Sequence, residues 1–123
     1  ERMRTISEAI CAMHGATCQF SYTHEFAPTV NWQQCVDVAV TAAINVVGAE
    51  KVDGNVAQMM ISEDFGAFLQ KIPGCFIFLG NGDSSDAQGN TPLHNACYDF
   101  NDEILLTGAE YFAEVVRARL PQE

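Results

Sequence analysis

The hydrophobic positions of the chain recur first at helical spacing and then in alternation. The apolar positions of the first stretch are Ile6, Ile10 and Met13. Followed by Gly15, they predict an amphipathic helix over residues 3–15 with one buried face. Residues 17–26 alternate between apolar and polar side chains, which predicts a half-buried strand. A helix followed by such a strand indicates the end of a small α+β unit, with a hinge at Pro28.

The next stretch predicts a long helix that ends at Gly48. Its expected inward positions are Trp32, Val36, Ala39, Val40, Ala43 and Val47. Asn31 can cap this helix, with Gln34 as its partner in a capping box. A pocket residue is an equally good interpretation of Asn31, and the residues alone leave both open.

The middle of the chain offers weaker patterns. Residues 51–56 suggest a short strand, and Ser62 is expected to open a third helix that Pro73 stops. Glu63 and Asp64 would lie in the first turn of that helix, where the helix dipole favours negative charge. They could equally be carboxylates of a pocket.

Residues 75–79 form a continuous apolar run between two glycines, which is typical of a strand covered by helices on both faces. A last helix is expected to turn one apolar stripe inward. The positions of that stripe are Leu105, Ala109, Phe112, Val116 and Leu120. Together these elements predict an α/β fold class, with a change of unit near Pro28.

Composition and charge narrow the class of protein. The 123 residues are 48% hydrophobic, which suits one ordinary domain. Sixteen acidic against six basic residues leave a net charge of -10, so we expect neither nucleic acid nor a membrane surface as a partner. The five cysteines include no CxxC pair, which argues against a disulfide framework and a thiolate zinc site. Reduced thiols in the cytoplasm are expected.

The stretch "TPLHNACYDFND" holds the most concentrated polar chemistry, with His94 near its centre. In open α/β sheets, ligands bind beyond the carboxyl ends of the strands, and this stretch follows the apolar run by one loop. His94 is therefore either a metal ligand or acid–base group, or a surface histidine. His14 and His24 suit a helix end and a strand surface. Asp83 and Asp86 lack the spacing of a calcium loop and predict a solvated turn.

Two stretches, "SEDFGAFLQKIPGCFIFLGNG" and "LHNACYDFNDEILLTGAEYFAEVV", resemble the C-terminal part of the M-twenty metallopeptidases, in their hippurate hydrolase and N-acyl-amino-acid amidohydrolase branch. The P-x-V-N hinge at residues 28–31 and the order of elements match as well. The resemblance implies an α/β catalytic domain with two divalent metal ions and an inserted ferredoxin-like lid that supports dimerisation. Residues 1–30 would then end the lid (dimerisation) domain, and residues 31–123 would be the C-terminal part of the catalytic domain.

The same resemblance implies roles for individual residues. His94 corresponds to the histidine of the family's "LH" motif and would ligate a divalent metal, zinc or manganese. The stretch with Glu63 and Asp64 would border the active-site cleft. With Asn31, these two residues are the candidate substrate-binding residues. Nothing in the chain matches the family's other metal ligands or its general-base glutamate.

The function implied is hydrolysis of the amide bond of an N-acyl amino acid or peptide by a metal-bound water. The chain is read as a C-terminal fragment, expected to be inactive alone and to associate with a second copy or a companion N-terminal segment. The alternative is a non-catalytic acidic protein-interaction module, in which the His94 loop is a surface turn.

Overall fold

The computed structural model describes residues 1–82 and 91–120 of the chain. Its helices are α1 at Arg2–Met13, α2 at Gln33–Val47, α3 at Gly66–Leu69 and α4 at Leu105–Arg119. Short 3-10 turns lie at Ala49–Lys51 and Asp102–Ile104. The predicted turn around Asp83 and Asp86 lies outside the described residues. None of the described helices is long and apolar enough to span a membrane.

The prediction of an α/β fold with a ferredoxin-like lid is wrong, because the described residues are helical and form no strand. All three predicted strands, at residues 17–26, 51–56 and 75–79, are affected. A strand is stabilised by hydrogen bonds to a neighbouring strand. The apolar pattern of such a stretch signals that it can be buried, but it cannot supply the pairing partner. No pair of segments in the described parts forms a ladder.

Helix α1 ends in a glycine turn that reverses the chain. Gly15 has φ +67, in the left-handed region that glycine adopts without strain. Its N–H donates to the Ala12 carbonyl at 3.1 Å, and the N–H of Ala16 donates to the Cys11 carbonyl at 2.9 Å. This pair of bonds is a Schellman motif. The predicted helix with a glycine stop is therefore confirmed.

The expected burial of α1 is wrong. This helix makes no packing contact with α2, α3 or α4. Its apolar positions Ile6 and Ile10 are exposed, and Met13 is 80% exposed. The segment that follows the turn runs back along the helix, where the Arg4 guanidinium lies 5.3 Å from the centre of the Phe20 ring. Helix α1 and this segment therefore form a local unit of their own.

Helices α2 and α4 are the main packed pair. Ala39 and Ala42 on α2 are 6% and 1% exposed, and side chains this small let a neighbouring segment approach closely. The Asn45 side chain on α2 donates to the Glu114 carboxylate on α4 at 3.4 Å. The predicted long second and last helices are thus confirmed.

The apolar stripe of α4 does not point inward as predicted. Leu105, Phe112, Val116 and Leu120 are all exposed. The half-buried residues of this helix are Thr107, Gly108, Tyr111, Glu114 and Val115. Helix α2 packs against one side of α4, where Leu79 also lies close to Gly108, and the more apolar side of α4 is left uncovered.

The hinge is clamped against the middle of the chain. The Trp32 indole N–H donates to the Leu69 carbonyl at 3.0 Å, and the Trp32 backbone N–H donates to the Gly74 carbonyl at 3.0 Å. Leu69 is 4% exposed, the most buried large side chain of the described residues. Gly66 is also buried, since a Cβ there would lie 2.5 Å from the Ala27 carbonyl oxygen.

The structure leaves an unusual amount of surface open. A folded monomer of this size exposes about 6,500 Å², whereas this chain exposes 10260 Å². The described core consists of Ala39, Ala42 and Leu69, while many large apolar side chains remain accessible. The helices therefore present apolar faces that the described residues do not cover.

Candidate functional site

Asn31 forms a two-way bond with the middle of the chain. Its amide nitrogen donates to the Phe76 carbonyl at 2.9 Å, and its amide oxygen accepts from the Phe76 N–H at 2.7 Å. Helix α2 starts after Trp32, and no side chain caps it. The helix-cap interpretation of Asn31, with Gln34 as partner, is therefore wrong. Asn31 is exposed, and its amide has capacity for one further donated and one further accepted bond.

Glu63 organises the turn that leads into α3. Its Oε1 accepts from the backbone N–H of Asp64 at 2.9 Å and of Phe65 at 3.3 Å. The prediction that Ser62 opens a third helix that Pro73 stops is wrong, because α3 covers only Gly66–Leu69. Glu63 supplies the acceptor that a Ser62 cap would have supplied. It is half-buried, and Asp64 is exposed.

Aromatic contacts bring the Glu63 turn close to Asn31. The Phe65 ring lies 5.5 Å from the Phe76 ring, and the Phe76 backbone holds the Asn31 side chain. The Phe65 N–H in turn donates to Glu63. The candidate substrate-binding residues Asn31, Glu63 and Asp64 therefore belong to one connected patch.

His94 lies in a separate turn. It is the one non-glycine residue with positive φ, +67, in the described parts of the chain. Residues other than glycine enter this region at a cost of about 1 kcal/mol, and histidine is among those that enter it most often. The turn around it is held by Cys97 N–H donating to Asn95 Oδ1 at 2.8 Å and by Tyr98 N–H donating to the Asn95 carbonyl at 3.0 Å. His94 itself is exposed.

A second asparagine anchors the segment after His94. The Asn81 amide donates to the Asp99 carbonyl at 2.9 Å and accepts from the Asn101 N–H at 2.8 Å. Asn101 in turn accepts from the Glu103 N–H at 3.1 Å before α4 begins. Neither asparagine was predicted from the sequence to have this role. The acidic pair after Asn101, just before an apolar run, was a recognisable helix-start signal, whereas Asn81 carries no local signal.

The described residues do not fit a complete metal centre. No group of three histidine, cysteine, aspartate or glutamate side chains converges in them. No hydrogen bond or ion pair of the described residues joins His94 to Asn31, Glu63 or Asp64. Four ligands, or three and a water, are usual for zinc. We therefore derive no reaction step through a metal from this chain.

Two surface depressions lie away from these residues. One is lined by Ala67, Phe68, Lys71 and Ile72 and is almost wholly apolar. The other lies on the α1 unit and is lined by Glu1, Met3, Arg4, Phe20, Tyr22 and His24. None of the candidate substrate-binding residues lines either depression, so neither offers a formed substrate pocket.

Two groups near the α2–α4 pair have raised pKa values. Burial, and secondarily the neighbouring Cys35, raise the pKa of the Cys75 thiol. Burial, and secondarily Cys75, raise the pKa of the Tyr111 phenol. Both groups therefore stay protonated at neutral pH, which suits packing rather than nucleophilic chemistry.

Comparison with known proteins identifies relatives along most of the chain. The sequence model of peptidase family M20/M25/M40 matches residues 5–118. Thermostable carboxypeptidase 2 of Saccharolobus solfataricus is 34% identical over 112 residues, which are 87% of this chain and 26% of that protein. N-acetylcysteine deacetylase of Bacillus subtilis is 29% identical over 115 residues, 94% of this chain and 28% of that protein.

Hippurate hydrolase of Campylobacter jejuni is 33% identical over 87 residues, which are 71% of this chain and 21% of that protein. The chain thus spans between 21% and 28% of the length of these three curated relatives. No solved structure matches it at a significant level.

Proposed function

The chain belongs to peptidase family M20/M25/M40, and from this premise we propose that it is the C-terminal part of an amidohydrolase that cleaves the amide bond of N-acyl amino acids. The match over residues 5–118 is the observation that carries the proposal. Relatives named for deacetylation of N-acetylcysteine and hydrolysis of hippurate support the substrate class, because both names describe removal of an acyl group from an amino acid nitrogen.

A division of the chain into two units is part of this proposal. Residues 1–30 would belong to a lid or dimerisation unit with the hinge, and residues 31–123 to the catalytic unit. The absence of packing between α1 and the other described helices supports the division. So does the clamp of Trp32, which ties the start of the second unit to Leu69 and Gly74.

His94 is proposed as one ligand of a divalent metal, zinc or manganese, in the complete enzyme. Members of this family are generally metal-dependent. The positive φ of His94 supports the assignment, since strained backbone at an exposed polar turn is more common at functional sites than elsewhere. One histidine cannot hold an ion. The remaining ligands would have to come from a companion segment.

Asn31, Glu63 and Asp64 are proposed to contact the substrate. The connected patch that they form supports this role. Asn31 retains one donor and one acceptor after bonding Phe76, a suitable pair for the amide group of an N-acyl amino acid. The exposed Asp64 carboxylate adds negative charge near the same patch.

The test compares two proteins: the 123-residue chain, and the longer product of the same reading frame that includes the residues encoded upstream. Both are assayed with zinc and with manganese on N-benzoylglycine and on N-acetyl amino acids. We expect turnover from the longer protein alone. His94→Ala in it should abolish most activity and reduce bound metal, whereas His24→Ala, which alters a ring contact with Tyr22, should retain both.

Several results would contradict the proposal. Turnover of about 1 per second or more by the 123-residue chain alone would show a metal site within it. Full metal content and activity in the His94→Ala variant would remove His94 from the ligands. Cleavage of esters or phosphates with no action on N-acyl amino acids would overturn the substrate class.

A further inference from the structure

Helix α4 carries an apolar surface with the spacing of a two-helix interface. Leu105, Ala109, Phe112 and Val116 follow one another at intervals of four, three and four residues. This is the spacing at which two helices pack along their length. All four positions are exposed, and Phe112 is 69% and Leu105 59% accessible. These four residues are called the α4 seam below.

The contact of α4 with α2 does not use the seam. The half-buried positions Tyr111, Glu114 and Val115 lie on another side of the helix, because 3.6 residues make one turn. On that side, Glu114 accepts a hydrogen bond from Asn45 on α2. A further element can therefore pack on the seam while the α2–α4 pair stays as it is.

The exposed area of the chain is large enough for a protein partner. The chain exposes 10260 Å², whereas a folded monomer of this size exposes about 6,500 Å². The excess is larger than the area of about 800 Å² that each partner buries in an interface of standard size. Burial of apolar area is the main favourable contribution to such association.

We propose that the α4 seam is the contact surface between two copies of this chain, with their α4 helices antiparallel about a twofold axis. Such a dimer uses the same surface of both copies. In one register, Leu105 of each copy faces Val116 of the other, and Ala109 faces Phe112. The second of these layers sets a small side chain against a large one, which lets facing positions interdigitate.

The charges at the two ends of α4 favour the antiparallel orientation. Asp102 and Glu103 lie just before the helix, and Arg117 and Arg119 lie in its last turn. The same register sets Asp102 of one copy opposite Arg119 of the other, whereas a parallel pair would bring like charges together. Arg117 already pairs with Glu114. Within the described residues, no ion pair involves Asp102 or Arg119, so both are available to the second copy.

The net charge of the chain acts against this association at long range. Each copy carries a charge of -10, and two such copies repel one another. Salt screens this repulsion, while exposed ion pairs such as those at the helix ends contribute little. The dimer should therefore become tighter when the salt concentration rises from about 50 mM to about 500 mM. The inference is independent of the proposed hydrolase activity, because it concerns a surface away from the candidate site residues.

The experiment is sedimentation of the 123-residue chain over a range of protein concentrations. We expect a reversible equilibrium between monomer and dimer, with a dissociation constant of about 1–100 μM for a seam of this length. Phe112→Asp places a charge at the centre of the seam in both copies and should weaken the dimer by at least about thirtyfold. Met60→Asp is the matched control, because Met60 is 93% exposed outside α4, and it should leave the dimer unchanged. Circular dichroism checks that each variant is folded.

A charge exchange tests the orientation of the two helices. Asp102→Arg and Arg119→Asp should each weaken the dimer by about threefold, because each single change sets like charges against one another at both ends. The double variant keeps the net charge of the chain and restores both pairs of opposite charge. It should therefore recover most of the original affinity, and failure to do so would overturn the antiparallel register.

Three further results would overturn the inference. One is a chain that stays monomeric at every concentration. Another is a dimer that Phe112→Asp leaves intact and Ile10→Asp on α1 dissociates, which would place the contact on the other exposed helix face. The third concerns the longer product of the same reading frame. If it is a monomer that Phe112→Asp unfolds, then residues encoded upstream, and not a second copy, cover the seam.

Discussion

The region before the hinge and the region after it are stabilised by different kinds of contact. In residues 1–26, the bonds and ring contacts join residues within one helix, one turn and the segment that follows it. After the hinge, the decisive hydrogen bonds join residues 37, 45 and 69 positions apart. The first region can therefore form from local sequence alone, whereas the second depends on contacts between distant segments.

Despite this difference, both regions leave an apolar helix face uncovered. Ile6 and Ile10 on α1 and Phe112 and Val116 on α4 are exposed alike. Long-range bonding in the second region thus brings segments together without enclosing a large core. A shortage of covering elements, rather than a shortage of apolar residues, limits burial in this chain.

Removing the most buried large side chain should show the difference in stability between the two regions most clearly. Leu69→Ala deletes a side chain that is 4% exposed, and such changes cost about 2–5 kcal/mol. We expect the second region to lose most of its stability while α1 stays helical. Urea unfolding, followed with the Trp32 fluorescence and with the helical signal, measures both.

The matched control is Leu106→Ala, because Leu106 is 67% exposed on α4. It should change the free energy of unfolding by less than about 0.5 kcal/mol. Equal losses of unfolding free energy in the two variants would mean that Leu69 is not a core residue of the second region.

The next largest effect is expected at the hinge asparagine. Asn31→Ala removes both bonds to the Phe76 backbone and leaves the Phe76 N–H and carbonyl without their present partner. The cost of such a loss is about 1–3 kcal/mol. Amide hydrogen exchange at Phe76 should accelerate, while exchange within α1 should not change.

Asn55→Ala is the control, since Asn55 is an exposed asparagine outside this contact. Unaltered exchange at Phe76 in the Asn31→Ala variant would show that the two-way bond does not hold this segment. Asn31→Asp should keep only the bond that the side chain accepts from the Phe76 N–H, because a carboxylate has no N–H to donate to the Phe76 carbonyl.

The elements that could be predicted from the sequence are those held by local contacts. The helix that Gly15 stops and the long second and last helices were predictable, because apolar spacing and glycine stops act within a few residues. Residues 17–26 were predicted as a strand because alternation indicates one covered face. The element that covers this face is helix α1, as the Arg4–Phe20 contact indicates. Alternation alone cannot show whether a helix or a second strand covers the apolar face.

The candidate site shows the same limit. Glu63 was predicted to lie in the first turn of a helix opened by Ser62, but it precedes α3, and its carboxylate accepts from the backbone N–H groups of Asp64 and Phe65. The role of Asn81 could not be predicted, because its partners Asp99 and Asn101 lie far along the chain. The assignment of His94 as a metal ligand came from family resemblance, and it stays a prediction.

A smaller and purely local effect is expected at the turn of the first region. Gly15→Ala places a side chain at φ +67 and should cost about 1 kcal/mol, although no atom lies within 4 Å of the added Cβ. The helical signal of α1 should fall, and the second region should unfold at the same urea concentration as before. Gly80→Ala is the control, because Gly80 also has open space but no positive φ. A change in the second region would contradict the independence of the two.

The smallest effect is expected where α2 meets α4 at the surface. Hydrogen bonds from Arg117 first, and then from Asn45, lower the pKa of the Glu114 carboxyl below its ordinary value of 4.5. Since the folded state holds the proton less tightly than the unfolded state, the contribution of Glu114 is present above pH 4.5 and is lost as the pH falls through the lowered pKa. Arg117 is largely exposed, so solvent screens this ion pair and the contribution is small. Glu114→Gln should therefore flatten the acid limb of the stability curve of the second region, with little change at pH 7. Glu110→Gln, at an exposed position on the same helix, should leave that limb unchanged. If Glu114→Gln alters the melting of α1 as much as that of α4, then acid stability is a property of the whole chain. The contrast between a region held by local contacts and one held by distant contacts would then not apply to the electrostatics of the protein.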